Sequence, residues 1–397
     1  VTSTDAVIVA AARTAIGTAG KGTLAATTSS EHAEHVVAAV VKRSGLHAED
    51  FDHLVLGEVL QGGGDIARHT AVRLNMTTVP GTAMNRQCAS GLAALTAGAA
   101  EIRSGMASAV IAGGTESIST SPRINRRIPG TRDYDPTPWI PPSHPPTEAA
   151  PAIDMSITVG WNTARIAGIS REDMDRWALE SHGKAIAAID EGRFVDEIVP
   201  VTLTRPDGQT VDFEVDEHPR RDTSMERLAA LPVLHPEIPG FSITAGNASG
   251  LNDGAAVVAL VSGELAAQRG LVPLGRIRSW ASVGVDPVQT GLAPVAAIEQ
   301  ALGRAGLSTR DVALFEINEA FASMCVATVR ALELDPARVN VSGSGCSLGH
   351  PIAASGARMV TTLVHELRRR GGGIGVAALC AGGGMGSAVV IDLPPTS

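Results

Sequence analysis

What most restricts how this chain can fold is that part of it is written twice. The stretch from Arg43 to Leu60 aligns without gaps on the stretch from Arg304 to Phe321. Arg43-Ser44-Gly45-Leu46 falls on Arg304-Ala305-Gly306-Leu307, and Asp50 on Asp311. Glu101-Ile102-Arg103 then recurs as Glu366-Leu367-Arg368, and Ile111-Ala112-Gly113-Gly114 as Cys380-Ala381-Gly382-Gly383. Matches that keep their order predict a duplicated domain.

Each copy alternates strand and helix. Ala6 to Ala10 is a short apolar run, as a strand covered on both faces should be. Glu31 to Lys42 reads as a helix capped by Ser29 or Ser30 and stopped at Gly45. Ala89 to Ser104 reads as a second helix, ended by Gly105, with a strand over Ser108 to Ala112. Alternation of this kind predicts an α/β fold with helices on both sheet faces.

Between the copies the composition changes. From about 121 to 150 the prolines crowd so closely that no regular element is expected. Ser170-Arg171-Glu172-Asp173 is a capping box for a helix running to about Glu191. Pro206-Asp207-Gly208 reads as a turn before an exposed strand over Val211 to Val215. The expected division is an N-terminal half (1–120 with 247–270), an inserted loop domain (121–246) and a C-terminal half (271–397). Insertions of that length usually carry function.

A formal charge of −9 argues against a nucleic-acid partner. The basic run Arg368-Arg369-Arg370 suits the end of a helix. Four cysteines without paired close spacing exclude a disulfide framework and a zinc knuckle, and no metal site is expected. No apolar stretch free of glycine reaches the ~20 residues of a membrane span. With no secretory signal visible, a soluble cytoplasmic protein is expected.

Two cysteines stand out. Cys88 lies in Asn85-Arg86-Gln87-Cys88-Ala89-Ser90-Gly91-Leu92, at the mouth of a helix whose N-terminus favours a thiolate. Cys380 ends an apolar run and is followed by Ala381-Gly382-Gly383-Gly384. Between them, His350 is framed by Gly349 and Pro351. A free thiol of pKa ~8.5 is only a few per cent thiolate at neutral pH, so a nucleophilic cysteine needs a nearby base. Cys325 and Cys346 read as core or near-site packing. His32, His35, His47, His53 and His69 read as solvated.

Five blocks occur in order: Asn85 to Leu92, Thr244 to Ala255, Asn318 to Ala322, Gly349-His350-Pro351, and Cys380 to Gly386. Through them the chain resembles the thiolases, acyl-CoA:acetyl-CoA C-acyltransferases, over essentially its full length. The resemblance implies a five-layer αβαβα fold built from two duplicated βαβ-type halves, with a loop domain inserted. It implies Cys88 as the acylated nucleophile, activated by His350, and Cys380 as the acid and base at the α-carbon. The amides of Cys88 and Gly382 would hold the tetrahedral intermediate; His350 and a water on Asn318 would hold the enolate oxygen. Coenzyme A and acyl-CoA are then substrates, with no permanently bound cofactor. Arg220 would meet the adenine end of CoA, and Ser249 and Ala320 its pantetheine arm.

The match is incomplete. Ala152 to Trp161 lacks the His-Met-Gly of many short-chain thiolases. Asn340-Val341-Ser342-Gly343-Ser344 replaces the usual Asn-x-Asn-Gly-Gly, and Ala353 stands where glycine is common. A homodimer across the N-terminal half is the minimum expectation, with a tetramer left open. Ketosynthases share the fold but lack the second thiol, and a catalytically idle binder of CoA esters is the other alternative.

Overall fold

Strand order repeats itself in the two halves. In the computed structural model, which describes residues 2–204 and 208–394, the first half contains β1 (Ala6–Arg13), β2 (His53–Gly57), β3 (Gly81–Met84), β4 (Ala109–Glu116) and β5 (Asn252–Ser262). The second contains β6 (Gly275–Gly284), β7 (Leu314–Ile317), β8 (Gly373–Ala381) and β9 (Met385–Leu393). The path runs β7-β8-β9-β6-β1-β5-β4-β2-β3. Thus β2-β4-β5-β1 mirrors β7-β8-β9-β6, with one parallel and two antiparallel pairings in each. The halves meet where β1 pairs with β6, Val7 opposite Arg276.

Alternation along the strands creates the layers. On β5, Val258 and Leu260 face one core, while Val257, Ala259 and Val261 face another. On β8, Ala377 and Leu379 face the first of these cores, while Val376, Ala378 and Cys380 face a third. The shared core holds α2 (Ser90–Arg103) and α6 (Ser355–Arg369) between the sheet halves. The outer cores are covered by α1 (Ser29–Ser44) on one side and by α4 (Ala293–Ala305) and α5 (Ala322–Ala331) on the other. Helix, sheet, helix, sheet, helix is the expected five-layer arrangement.

Local signals mostly act where they stand. Gly45 ends α1 in the left-handed region, at φ 72°. The N-cap is Thr28, not Ser29 or Ser30, because Glu31 sits three residues on and closes a capping box with Thr28. Ser170 caps α3 (Arg171–Asp190) as its sequence predicts. The exposed strand after the turn is shorter than expected, Thr210–Phe213, paired with Val201–Thr204. Pro206 and Asp207 of the expected turn lie outside the described residues.

The proline-rich segment does form structure. Asn125–Arg127 and Tyr134–Pro138 make a two-stranded ribbon, tied by the Asn125 amide to the Asp135 carbonyl at 2.7 Å. A ribbon with no third strand tolerates proline on its outer edge, where no partner needs the missing N–H. Farther along, the insert is fastened to β1. Arg13 is buried and donates to Glu197 at 2.7 Å and to both oxygens of Asp216 at 2.8 and 2.9 Å.

Candidate active site

Cys88 sits on a tight turn between β3 and α2. Gln87 adopts φ 50°, a left-handed conformation uncommon outside glycine that swings the next residue out of line with the strand. Ser90 pins the turn, accepting from the Arg86 amide at 2.9 Å and donating to the Gln87 carbonyl at 2.6 Å. Burial pushes the Cys88 thiol up to about 11, against the amides of Gly382 and of Cys88 itself, which favour the thiolate. The helix N-terminus alone was expected to favour the thiolate. Desolvation outweighs it, so the resting group is a thiol and a base is required.

The two central helices touch at their N-terminal ends. A Cβ on Gly91 would lie 2.6 Å from the Ala353 carbonyl oxygen, and one on Gly356 would lie 2.7 Å from Leu92. This close crossing brings the His350 loop beside the Cys88 turn. The His350 amide donates to Asn252 Oδ1 at 3.0 Å, and its Nδ1 lies 2.5 Å from Ser355 Oγ. Ser355 spends its own hydroxyl proton on the Pro351 carbonyl at 2.9 Å. With that proton on the Pro351 carbonyl, Ser355 Oγ accepts from Nδ1–H, the arrangement in which Nε2 carries no proton. Burial, with a smaller contribution from Arg358, lowers the imidazolium pKa to about 4, so the ring is neutral.

Cys380 ends β8 and is buried. Desolvation first, and then the neighbouring Cys88, push its thiol far above the ordinary range. The two sulfurs thus share one electrostatic environment although they are distant in sequence. Gly382 lies against the same turn, since a Cβ there would meet Gln87 Cγ at 3.5 Å. That is an ordinary contact, so space does not demand glycine at 382. Gly383 and Gly384 do need it, with φ 90° and 77° and backbone oxygens 2.7 and 2.2 Å from an added Cβ.

Asn318 is buried with its Nδ2 3.4 Å from each ring nitrogen of His350. Its neighbour Glu319 is a buried hub, accepting from Trp177, Ser181, Asn340 and the Cys346 amide. Glu319 therefore binds α3 of the insert to the segment that carries Asn318. Cys346 is buried, and Cys325 lies in the core, with its sulfur 3.2 Å from the Asn318 carbonyl.

Arg220 is exposed and lines a cavity of about 360 Å³ with His182, His218, Arg227 and Cys346. Its amide donates to His182 Nδ1 at 3.1 Å, and burial lowers both histidines to about 4. The Ser249 amide donates to the Ala320 carbonyl at 2.9 Å, which joins two of the five blocks. Neither residue lines the Arg220 cavity.

Residues 6–264 match the thiolase N-terminal domain, and residues 271–393 match the thiolase C-terminal domain. The chain belongs to the thiolase family. It is 42% identical to an acetyl-CoA acetyltransferase of Pseudomonas aeruginosa, over 98% of this chain and 99% of that protein. It is 40% identical to a mitochondrial 3-ketoacyl-CoA thiolase of Bos taurus, over 97% of each. The crystal structure of human mitochondrial 3-ketoacyl-CoA thiolase in complex with CoA superposes with a TM-score of 0.89 at 36% identity, covering 98% of each chain.

Some site residues of this thiolase were not picked out from the sequence. Ser355 and Asn252 orient His350 but look like ordinary small polar residues in a helix and a strand. Glu116 ends β4, accepts from Gln61 at 2.7 Å and from the Ala353 amide at 3.3 Å, and is pushed up to about 7 by burial. An acid closing an apolar strand was the available signal. His32, expected to be solvated, is buried, with Nδ1 3.4 Å from the Glu116 carbonyl. Its position on the inner face of α1 overrides its polarity.

Proposed function

We propose that this thiolase is a CoA-dependent acyltransferase that cleaves 3-ketoacyl-CoA to acetyl-CoA and a shortened acyl-CoA, or runs the reverse condensation. The observation that carries this reading is the pair of thiols with a neutral imidazole: Cys88 facing the Gly382 amide, Cys380 beside it, and His350 held at Nδ1 by Ser355 with Asn318 Nδ2 3.4 Å from Nε2. In cleavage, His350 Nε2 takes the Cys88 proton and the sulfur attacks C3. The C2–C3 bond then breaks, its electron pair goes to the acetyl-CoA enolate, and Cys380 donates the proton to C2. The thiol of CoA then gives its proton to the Cys380 thiolate and attacks the acyl-Cys88 thioester. The C–S bond to Cys88 breaks, the departing sulfur takes back the proton held by His350, and the shortened acyl-CoA leaves. Donors from the Cys88 and Gly382 amides suit the oxyanion formed at each attack.

Arg220 and its cavity support a CoA-binding role for the 121–246 insert, between an N-terminal half (1–120 with 247–270) and a C-terminal half (271–397). Ser249 and Ala320 would line the pantetheine path. Among the described residues β3 ends the sheet, and that edge supports a homodimer across the N-terminal half. Four free cysteines fit a reducing compartment such as the cytoplasm.

The test is incubation with CoA and a panel of 3-ketoacyl-CoAs, with the thioester products read by mass. No product from any of them would sink the reading. Cys380→Ser is expected to keep acylation of Cys88 while losing exchange of the acetyl-CoA α-protons, with turnover down ~10²- to 10⁴-fold. Normal exchange in that variant would remove Cys380 from its role.

A pH profile gives a separate check. His350 must be neutral to accept a proton, and it is neutral above about 4. Activity is therefore lost as pH falls through about 4, and kcat/KM shows no acid limb near the ordinary imidazole value of about 6.5. A limb at that higher value, absent from a His350-independent step, would contradict the assignment.

A further inference from the structure

We propose that Glu116 is a positioning residue: through the Ala353 amide it fixes where His350 stands relative to Cys88. This rests on the thiolase reading above and adds a residue that the reaction scheme does not use. Glu116 is fully buried at the end of β4, with no surface for a substrate to touch. Its Oε2 accepts from the Ala353 amide at 3.3 Å, three residues beyond His350. Its Oε1 accepts from Gln61 Nε2 at 2.7 Å and from the Leu60 amide at 3.3 Å.

Ala353 is gripped on both sides. Its carbonyl oxygen would lie 2.6 Å from a Cβ on Gly91, three residues past Cys88, and 2.0 Å from one on Gly114, two residues before Glu116. Its amide is held by Glu116. The residue also lies between His350 and Ser355, whose hydroxyl is 2.5 Å from His350 Nδ1. A shift of Ala353 therefore moves the ring and its partner together, while Cys88 stays with Gly91 at the start of α2.

Glu116 is itself braced. Gln61 Oε1 accepts from Ser29 Oγ at 2.6 Å, and Thr115 Oγ1 donates to the Ser29 carbonyl at 2.6 Å, so the last two residues of β4 are tied to the start of α1. The charge of Glu116 is not what the reaction gains. Burial pushes the carboxyl up to about 7, and in its ionised form it opposes a thiolate on Cys88. The gain comes from reach, an acceptor oxygen placed at the Ala353 amide. A glutamine keeps that reach. Once the Gln61 amide turns over, the new amide can donate to Gln61 Oε1 while its oxygen still meets Ala353. An aspartate keeps the charge but is a methylene too short to hold both partners.

The test uses the full chain, acetyl-CoA, and the variants Glu116→Gln, Glu116→Asp and Glu116→Leu. Acetylation of Cys88 in a single turnover is followed by intact mass over a range of acetyl-CoA concentrations. Each protein then yields a maximal rate and a half-saturating concentration. Glu116→Asp and Glu116→Leu are expected to lose about 10- to 100-fold in maximal rate, the scale on which a displacement of ~1 Å acts. Glu116→Gln is expected to stay within about fivefold of the wild type. The half-saturating concentration is expected to stay within about threefold throughout, because no group that binds substrate has changed. Should Glu116→Leu fail to fold, Glu116→Asp and Glu116→Gln still separate reach from charge. An unchanged maximal rate in Glu116→Asp, a rate in Glu116→Gln as low as in Glu116→Asp, or a loss confined to the half-saturating concentration would overturn the proposal. Absence of any acetyl adduct on the wild type would instead overturn the acyl-enzyme reading, a result distinct from acetylation that Glu116 does not influence.

Discussion

Cys88→Ala is expected to abolish the acyl-enzyme and to lower turnover by on the order of 10⁶-fold, the scale on which loss of a nucleophile acts. The reason lies in the geometry around the sulfur. The turn strained at Gln87 and pinned by Ser90 presents the sulfur to the amides of Gly382 and of Cys88 itself. Removing that atom leaves the donors in place with nothing to attack the carbonyl. Mass spectrometry of the intact chain after mixing with acetyl-CoA should show an acetyl adduct on the wild type and none on the variant. An adduct of equal yield on Cys88→Ala would move the nucleophile elsewhere, with Cys380 the first place to look.

Arg13→Ala is expected to be the most damaging change for stability. Arg13 lies at the end of β1 with its guanidinium buried between Glu197 and Asp216, under the Phe194 ring at 4.9 Å. Asp216 also accepts from the Ile16 amide at 2.8 Å, so the carboxylate fastens two points of the N-terminal half to the insert. Truncating the arginine strands two buried acids, which typically costs about 3–5 kcal/mol. By the tenfold-per-1.4 kcal/mol conversion that is a change in the folding equilibrium of roughly 10²-fold to several thousand-fold. A urea titration followed by circular dichroism measures it. A loss below about 1 kcal/mol, as for an exposed pair, would show that the cluster does not anchor the insert.

Short-range patterns were legible from the residues alone. Gly45 stops α1 and Ser170 starts α3 because a left-handed cap and a capping box depend only on neighbours a few positions away. The cap of α1 was expected at Ser29 or Ser30 and lies at Thr28, where Glu31 three residues on closes the capping box. Burial of His32 and the ribbon through Pro136 and Pro138 were not legible. Each depends on what packs from elsewhere in the chain: Glu116 on β4 in the first case and the 125–127 strand in the second.

The candidate site divides the same way. Cys88, His350 and Cys380 stand out by their local frames, and Asn318 by the five blocks taken together, whereas Ser355 and Asn252 carry no local mark. They matter because non-local contacts orient a ring and hold a loop.

From the residues by themselves came the duplication, the layered alternation of strand and helix, and the identities of the chemical groups, since repeats and side-chain chemistry are written one position at a time. Only the folded chain decided that the two remote thiols lie close enough to interact and that burial keeps the imidazole neutral. Proximity and desolvation arise between segments, and those two effects set which proton each group holds.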